Sequence, residues 1–232
     1  MTKFSIIIPC FNEKNTIVEI IKQVQKVSLL NIEKEIIVVD DGSTDGTREL
    51  VAKLPGIKYF FHDKNLGKGG AVKTGFREAT GEIVIIQDAD LEYDPNEYSA
   101  MIAPILNGDS EIVLGVRIFP NHDLRRRKSN YWLAWLGNHC ITWLTNILYG
   151  NWAGEYEGGY KAFTKKLIDC VSVKTNDFDF DNELICKILK LGHKTADVPI
   201  HYHPRGYLEG KKINYKHGVK ILWTILKYRF ID

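Results

Sequence analysis

Apolar runs that alternate with helical spacing through the first half of the chain limit its possible folds more than any other feature. "FSIIIPC" (4–10), "EIIVVDD" (35–41), "IKYFFH" (57–62), "EIVIIQD" (82–88) and "EIVLGVR" (111–117) have the length and branching of strands. Between them, "NTIVEIIKQVQKV" (15–27), a segment starting near "STDGTRELVAKL", "AVKTGFREA" and a stretch after Pro95 carry helical patterns. Strands apolar on both faces and separated by helices predict a mostly parallel α/β sheet of successive βαβ units. The rhythm stops at Pro120, where a long aromatic helix, a Gly-rich turn, "FDFDNELICKILKLG", "TADVPIHYHPR" and a basic helix follow. No Pro- or Ser-rich linker divides the chain, so residues 1–232 are expected to form one domain with halves at 1–118 and 119–232.

The 232 residues include 44% hydrophobic and 26% charged side chains, the balance of a soluble globular protein. The net charge of +2 excludes no partner class, but its distribution is uneven. Arg125, Arg126, Arg127 and Lys128 are contiguous, and Arg205, Lys211, Lys212, Lys216 and Lys220 crowd the C-terminal part. Such clusters attract phosphates. Cys10, Cys140, Cys170 and Cys186 are scattered and read as reduced, buried thiols of a cytosolic protein. The N-terminus lacks a secretory signal pattern. "NYWLAWLGNHCITWLTNILYG" (130–150) is long enough to span a bilayer, but Asn138, His139 and Asn146 interrupt it. It reads as a packed or interfacial helix. His193, His201 and His203 lack the companions of a zinc site and read as structural.

Ligands of parallel sheets bind beyond the carboxyl ends of the strands. Pro9 to Glu13, Asp40 with Asp41, and Asp88 to Glu92 share that rim. In "VVDDGSTDGT", Ser43 or Thr44 is expected to cap a helix, and a neighbouring carboxylate to accept hydrogen bonds from a base or ribose. "NLGKGGAVKTG" (65–75) is neither a P-loop nor a dinucleotide fingerprint and reads as the start of a helix. In "IVIIQDADLEYDP" (83–95), Asp88 and Asp90 are two apart, so an extended chain would project both to one side. Two carboxylates with diphosphate oxygens and water can complete an octahedron of hard oxygens around Mg²⁺ or Mn²⁺. A metal there would neutralise a diphosphate leaving group. Asp94, next to Pro95, reads as a helix-start residue.

In this order and spacing, "SIIIPCFNE", "EIIVVDDGSTDGT", "NLGKGGAVKTG" and "DADLEYDP" resemble the inverting nucleotide-sugar glycosyltransferases of family 2, whose fold is GT-A. "EGGYKAF", "FDFDNEL" and "VPIHYHPRGYLEGKKINYKHGVKILWTILKYRF" extend the likeness over nearly the whole chain. They are similar to the subgroup that includes dolichyl-phosphate mannosyltransferase, which transfers a sugar to a polyprenyl phosphate. The resemblance implies a nucleotide-sugar-binding first half, with Pro9, Phe11, Glu13, Val39, Asp41 and Ala89 lining the nucleotide pocket. It implies Asp88 and Asp90 as metal ligands and Glu92 at a third position, where relatives often carry Gln. Arg117, Arg205 and Lys211 would grip phosphate groups, and "RGYLEGK" would be a closing loop hinged at Gly206 and Gly210. Glu157, Tyr160 and Lys161 would lie near the sugar and acceptor in the second half. The segment "EYEGGYK" departs from the relatives' pattern at Glu155 and Gly158, where they carry Asp and Thr or Ser.

The partners implied are a GDP- or UDP-sugar, a polyprenyl phosphate and the cytoplasmic face of a membrane, with attachment peripheral and nucleic acid excluded. A lipid phosphate is already ionised near neutral pH, so direct displacement with inversion needs alignment and charge stabilisation more than a base. The aromatic helix, with Tyr131, Trp132, Trp135, Trp143, Leu144, Ile147 and Leu148, would rest on the bilayer, and so would the final helix. A homo-oligomer interface is the competing use of those faces. A hydroxyl acceptor is the competing chemistry, with Glu157 or Asp179 as base, and a non-catalytic nucleotide-binding subunit is a further alternative. A receiver-like phosphoacceptor leaves "DAD" without a role, and a nucleotidyltransferase would want a Gly-rich basic signature where this chain has "CFNE".

Overall fold

The β-branched runs within 4–10, 35–41, 82–88 and 111–117 become strands buried on both faces, whereas the run within 57–62 forms a largely exposed strand. The computed structural model describes residues 2–118, 131–177, 179–203 and 215–231. In chain order its first half runs β1 (Thr2–Cys10), α1 (Ile17–Lys26), β2 (Ile32–Asp40), α2 (Thr47–Val51), β3 (Lys58–Phe61), α3 (Lys68–Glu78), β4 (Ile83–Ile86), α4 (Tyr98–Leu106) and β5 (Ile112–Ile118). Then follow α5 (Tyr131–Tyr149), β6 (Lys161–Thr164), α6 (Lys165–Cys170), α7 (Phe180–Lys190), β7 (Thr195–His201) and α8 (Tyr215–Phe230). One seven-stranded sheet has the order β3-β2-β1-β4-β6-β5-β7, so strands of both halves share it. The β1–β2, β1–β4, β2–β3 and β5–β7 pairs are parallel, while β6 runs antiparallel to both β4 and β5.

Alternation along each strand divides the core between two faces. Ile7, Ile37, Val39, Val84 and Ile86 join the layer containing α3, α5, α7 and α8. Ile6, Ile8, Ile36, Val38, Ile83 and Ile85 join the layer containing α1 and α4. Helix α3 lies so close to β1 that Gly75 leaves no room for a Cβ against Ile7. The expected strands and helices are present within a few residues. The antiparallel β6 is an addition, because "KAFT" is too short for periodicity to declare it.

Three local expectations are corrected. Strand β4 ends at Ile86, two residues short of Asp88. Helix α2 is preceded by Gly46 at φ 97°, so neither Ser43 nor Thr44 caps it. Asp45 Oδ1 accepts from the Thr47 amide (3.0 Å), and Ser43 Oγ instead accepts from the Asn12 amide (2.9 Å). Cys10 and Cys186 are buried, but Cys140 and Cys170 are exposed, since both lie on outward positions of helix ends or faces. No helix among the described residues is long and apolar enough to cross a membrane.

Candidate active site

The rim at the carboxyl ends of β1, β2 and β4 is assembled by side chains gripping neighbouring loops. Asn12, in the left-handed region at φ 54°, receives the Thr44 amide on Oδ1 (2.9 Å), and Asp45 receives the Lys14 amide (3.1 Å). These bonds join the loops after β1 and β2. Asp40 and Asp41 are both buried. Asp41 accepts from the Leu66 and Gly67 amides (2.9 and 2.8 Å), and its Oδ1 lies 2.6 Å from His62 Nδ1. It therefore fixes the "NLGK" loop from beneath. Pro9, Val39 and Ala89 are buried, Glu13 is nearly so, and Phe11 is half-buried.

The acidic segment is a turn, not a strand end. Gln87 is fully buried and ties it together. Its Nε2 donates to the carbonyls of Asp88 (3.2 Å) and Tyr93 (3.3 Å), while its Oε1 accepts from the Tyr98 hydroxyl (3.0 Å). Asp90 Oδ1 accepts from the Glu92 amide (3.2 Å), and Leu91 adopts φ 64°. The turn thus brings Asp88 and Asp90 to the rim by a reversal of the chain, not by strand alternation. As expected, Asp94 starts the helical segment, accepting from the Asn96 amide (2.9 Å).

Asp88 does not stand alone. Lys68 Nζ, from the first residue of α3, lies 2.7 Å from its Oδ1. Burial works against the Lys68 charge, but Asp88 and Asp181 more than offset it, and its pKa is raised. Glu92 accepts from the Tyr202 hydroxyl (2.7 Å), and its carbonyl accepts from the His203 amide (3.0 Å). Among the described residues no three His, Cys, Asp or Glu side chains are grouped to hold a metal ion. Asp88, Asp90 and Glu92 consequently do not form a three-carboxylate cage here, because Glu92 turns to Tyr202. The chemistry of the Asp88–Asp90 pair, hard oxygens on one partly open turn, still fits a divalent ion shared with ligand oxygens.

A second layer closes over the turn from β5, β6 and the segment before β6. Arg117 Nε donates to both oxygens of Glu155 (2.9 and 3.0 Å), and the guanidinium lies over the Tyr202 ring at 4.9 Å. Burial opposes the Arg117 charge, but the Glu155 carboxylate more than compensates and raises its pKa. Glu155, the departure noted above, is therefore the partner of a predicted phosphate-binding arginine. Gly158 sits against β5, where a Cβ would lie 2.9 Å from the Gly115 carbonyl. Gly159 packs on Asp88 Oδ2, and its amide donates to the Tyr93 hydroxyl (2.9 Å).

Lys161 is buried, donating to the Gly158 carbonyl, with Asp181 at 3.8 Å. Glu157 Oε1 is buried with no hydrogen-bond partner among the described residues. Burial pushes its carboxyl up to about 7, with Lys161 opposing. Tyr160 is fully buried, stacked on Tyr93 at 5.2 Å, and its hydroxyl donates to the Asp94 carbonyl (3.1 Å). It supports the turn instead of facing the opening. Asp179 lies 2.9 Å from Lys220 of α8, an ion pair that joins the start of α7 to α8. His201 lies on Glu97 (2.9 Å) and His193 on Glu111 (2.8 Å). Arg205, Lys211, the "RGYLEGK" loop and the Arg125–Lys128 run lie outside the described residues.

Sequence reasoning missed Gln87, and it read the "NLGKGGAVKTG" segment that carries Lys68 as the start of a helix. Lys68 was visible as a charge at a helix start, where the macrodipole disfavours a cation. That mismatch was the one available signal.

This mixed sheet, with an acidic turn at the end of β4 and an antiparallel β6 beside it, is the architecture of GT-A glycosyltransferases. Residues 5–172 match Glycosyl transferase family 2, and the chain belongs to that family of sugar-transferring enzymes. It is 30% identical over 228 residues to an uncharacterised protein of Methanocaldococcus jannaschii, covering 95% of this chain and 90% of that one. It is 26% identical over 247 residues to the UDP-N-acetylglucosamine–dolichyl-phosphate N-acetylglucosaminyltransferase of Methanococcus voltae, covering 95% and 94%. Glucosyl-3-phosphoglycerate synthase of Mycobacterium tuberculosis, crystallised with Mn²⁺, UDP and glucosyl-3-phosphoglycerate, shares the fold. It superposes with a TM-score of 0.71 at 20% identity, covering all of this chain and 81% of that one.

Proposed function

We propose that this glycosyltransferase moves a sugar from a nucleoside-diphosphate sugar to a polyprenyl phosphate by direct, inverting displacement with Mg²⁺ or Mn²⁺. The observation that carries the reading is the Asp88–Asp90 turn at the sheet rim, bordered by cationic side chains. Pro9, Phe11, Glu13 and Ala89 would line the nucleoside site. Val39 and Asp41 act from behind it, the first as floor and the second by fixing the 65–67 loop. Asp88 and Asp90 would hold the divalent ion, which when bound stabilises charge on the departing diphosphate. Glu92 orients the turn through Tyr202.

Arg117, held by Glu155, presents a fixed positive charge suited to a phosphate, and Arg205 and Lys211 are proposed to share that task. Lys161 holds the 158–159 backbone, and Glu157 Oε1, without a hydrogen-bond partner among the described residues, would accept a sugar hydroxyl. An ionised phosphate acceptor attacks without losing a proton, so the residues need only align it with the anomeric carbon. The Methanococcus voltae relative supports this acceptor through its name. So do the large apolar side chains exposed on α5 and α8, which suit a peripheral seat on a membrane.

A hydroxyl acceptor is the second reading, and the raised Glu157 carboxyl favours it, because a group at about 7 can take a proton. The test is a panel of UDP- and GDP-sugars with Mn²⁺ against a short polyprenyl phosphate. One donor is expected to give product whose anomeric configuration is inverted. Retention from an α-linked donor contradicts direct displacement.

A further inference from the structure

Lys68 is a cation placed against its own helix. It occupies the first position of α3, and no acidic side chain shares that first turn. Its compensation comes from another element, Asp88 Oδ1 at 2.7 Å. The pair is packed from above by Gly159, whose absent Cβ would meet Asp88 Oδ2 and lie 3.4 Å from Lys68 Nζ. Asp181 offers a second carboxylate nearby, its buried Oδ1 lying 3.8 Å from Lys161 Nζ. A divalent ion approaching Asp88 by itself therefore meets an ammonium already on the carboxylate.

We propose that Lys68 is a resident counter-cation that holds Asp88 until a divalent ion arrives together with a nucleoside diphosphate. The displaced ammonium then moves to the diphosphate oxygens or to Asp181, so ion and nucleotide bind interdependently. This inference rests on the reading of Asp88 and Asp90 as ion-binding residues. It assigns Lys68 a positioning role and makes ion binding without nucleotide weak by construction.

The test is Mn²⁺ binding to the full chain, read from the electron paramagnetic resonance of the free ion, without nucleotide and with GDP or UDP. Wild type is expected to bind Mn²⁺ weakly alone and more tightly with nucleotide. Lys68→Met and Lys68→Gln are expected to bind Mn²⁺ alone about tenfold more tightly or better, with a smaller nucleotide-dependent gain. Either neutral variant suffices if the other fails to fold. Lys73→Met is the control for a diffuse charge effect, since among the described residues Lys73 bonds to carbonyls of the 173–175 segment. Nucleotide-free affinity unchanged in the Lys68 variants, or raised equally in Lys73→Met, overturns the inference. No Mn²⁺ binding by wild type with either nucleotide overturns the underlying ion-site reading as well.

Discussion

Glu157 is an acid whose chemistry is set by its surroundings. Its carboxyl has an ordinary value of 4.5 and is lifted to about 7 by burial. An acid raised in the folded state binds protons more tightly there than in the unfolded chain. It therefore costs stability progressively as pH rises from about 4.5 to about 7, and costs nothing below that window. Glu157→Gln is expected to be about 1–3 kcal/mol more stable than wild type at pH 8, with the difference gone near pH 4.5. Urea unfolding at the two pH values measures it, and a pH-independent difference contradicts the assignment. Residue roles were unevenly legible. Asp94 beside Pro95 announced itself, because its hydrogen bond is local. Lys68 and Gln87 did not, because their partners are side chains and carbonyls supplied by other turns and elements.

At the scale of elements, α5 and α8 combine a buried stripe with an exposed one. Ile141, Thr145, Tyr149, Ile225 and Tyr228 face inward, and the Tyr149 hydroxyl bonds the Ile225 carbonyl (2.8 Å) to join the two helices. Trp135 (53% exposed), Trp143 (64%) and Ile147 on α5, with Trp223 (65%) and Phe230 (77%) on α8, face outward. Because these side chains contact little protein, Trp135→Glu/Trp143→Glu should leave stability within about 0.5 kcal/mol. The same variant should lose most co-sedimentation with anionic vesicles, and undiminished vesicle binding removes the membrane role of α5. The strands and helices of the first half were legible because each apolar run is local and long enough for its period to show. Strand β6 was not: its four residues are defined by slotting antiparallel between β4 and β5, which periodicity does not record.

Across the whole molecule, the fold class followed from alternation, and the family from four motifs that all lie on one rim. What sequence could not supply was the depth of the site. Asp88 reached the rim through a turn held by Gln87, and Glu155 proved to be the anchor of Arg117. Tyr160 turned inward where the resemblance implied a contact. These placements make the site an acidic turn whose neighbouring described cations, Lys68 and Arg117, are each held by a carboxylate. The most direct test offers the enzyme a short polyprenyl phosphate and the matching polyprenol, with the preferred nucleotide sugar and Mn²⁺. Glycosylated lipid is predicted from the phosphate alone, with formation abolished by chelation and strongly reduced in Asp88→Asn. Equal or faster transfer to the polyprenol, or product formation indifferent to chelator and to Asp88→Asn, would contradict the account.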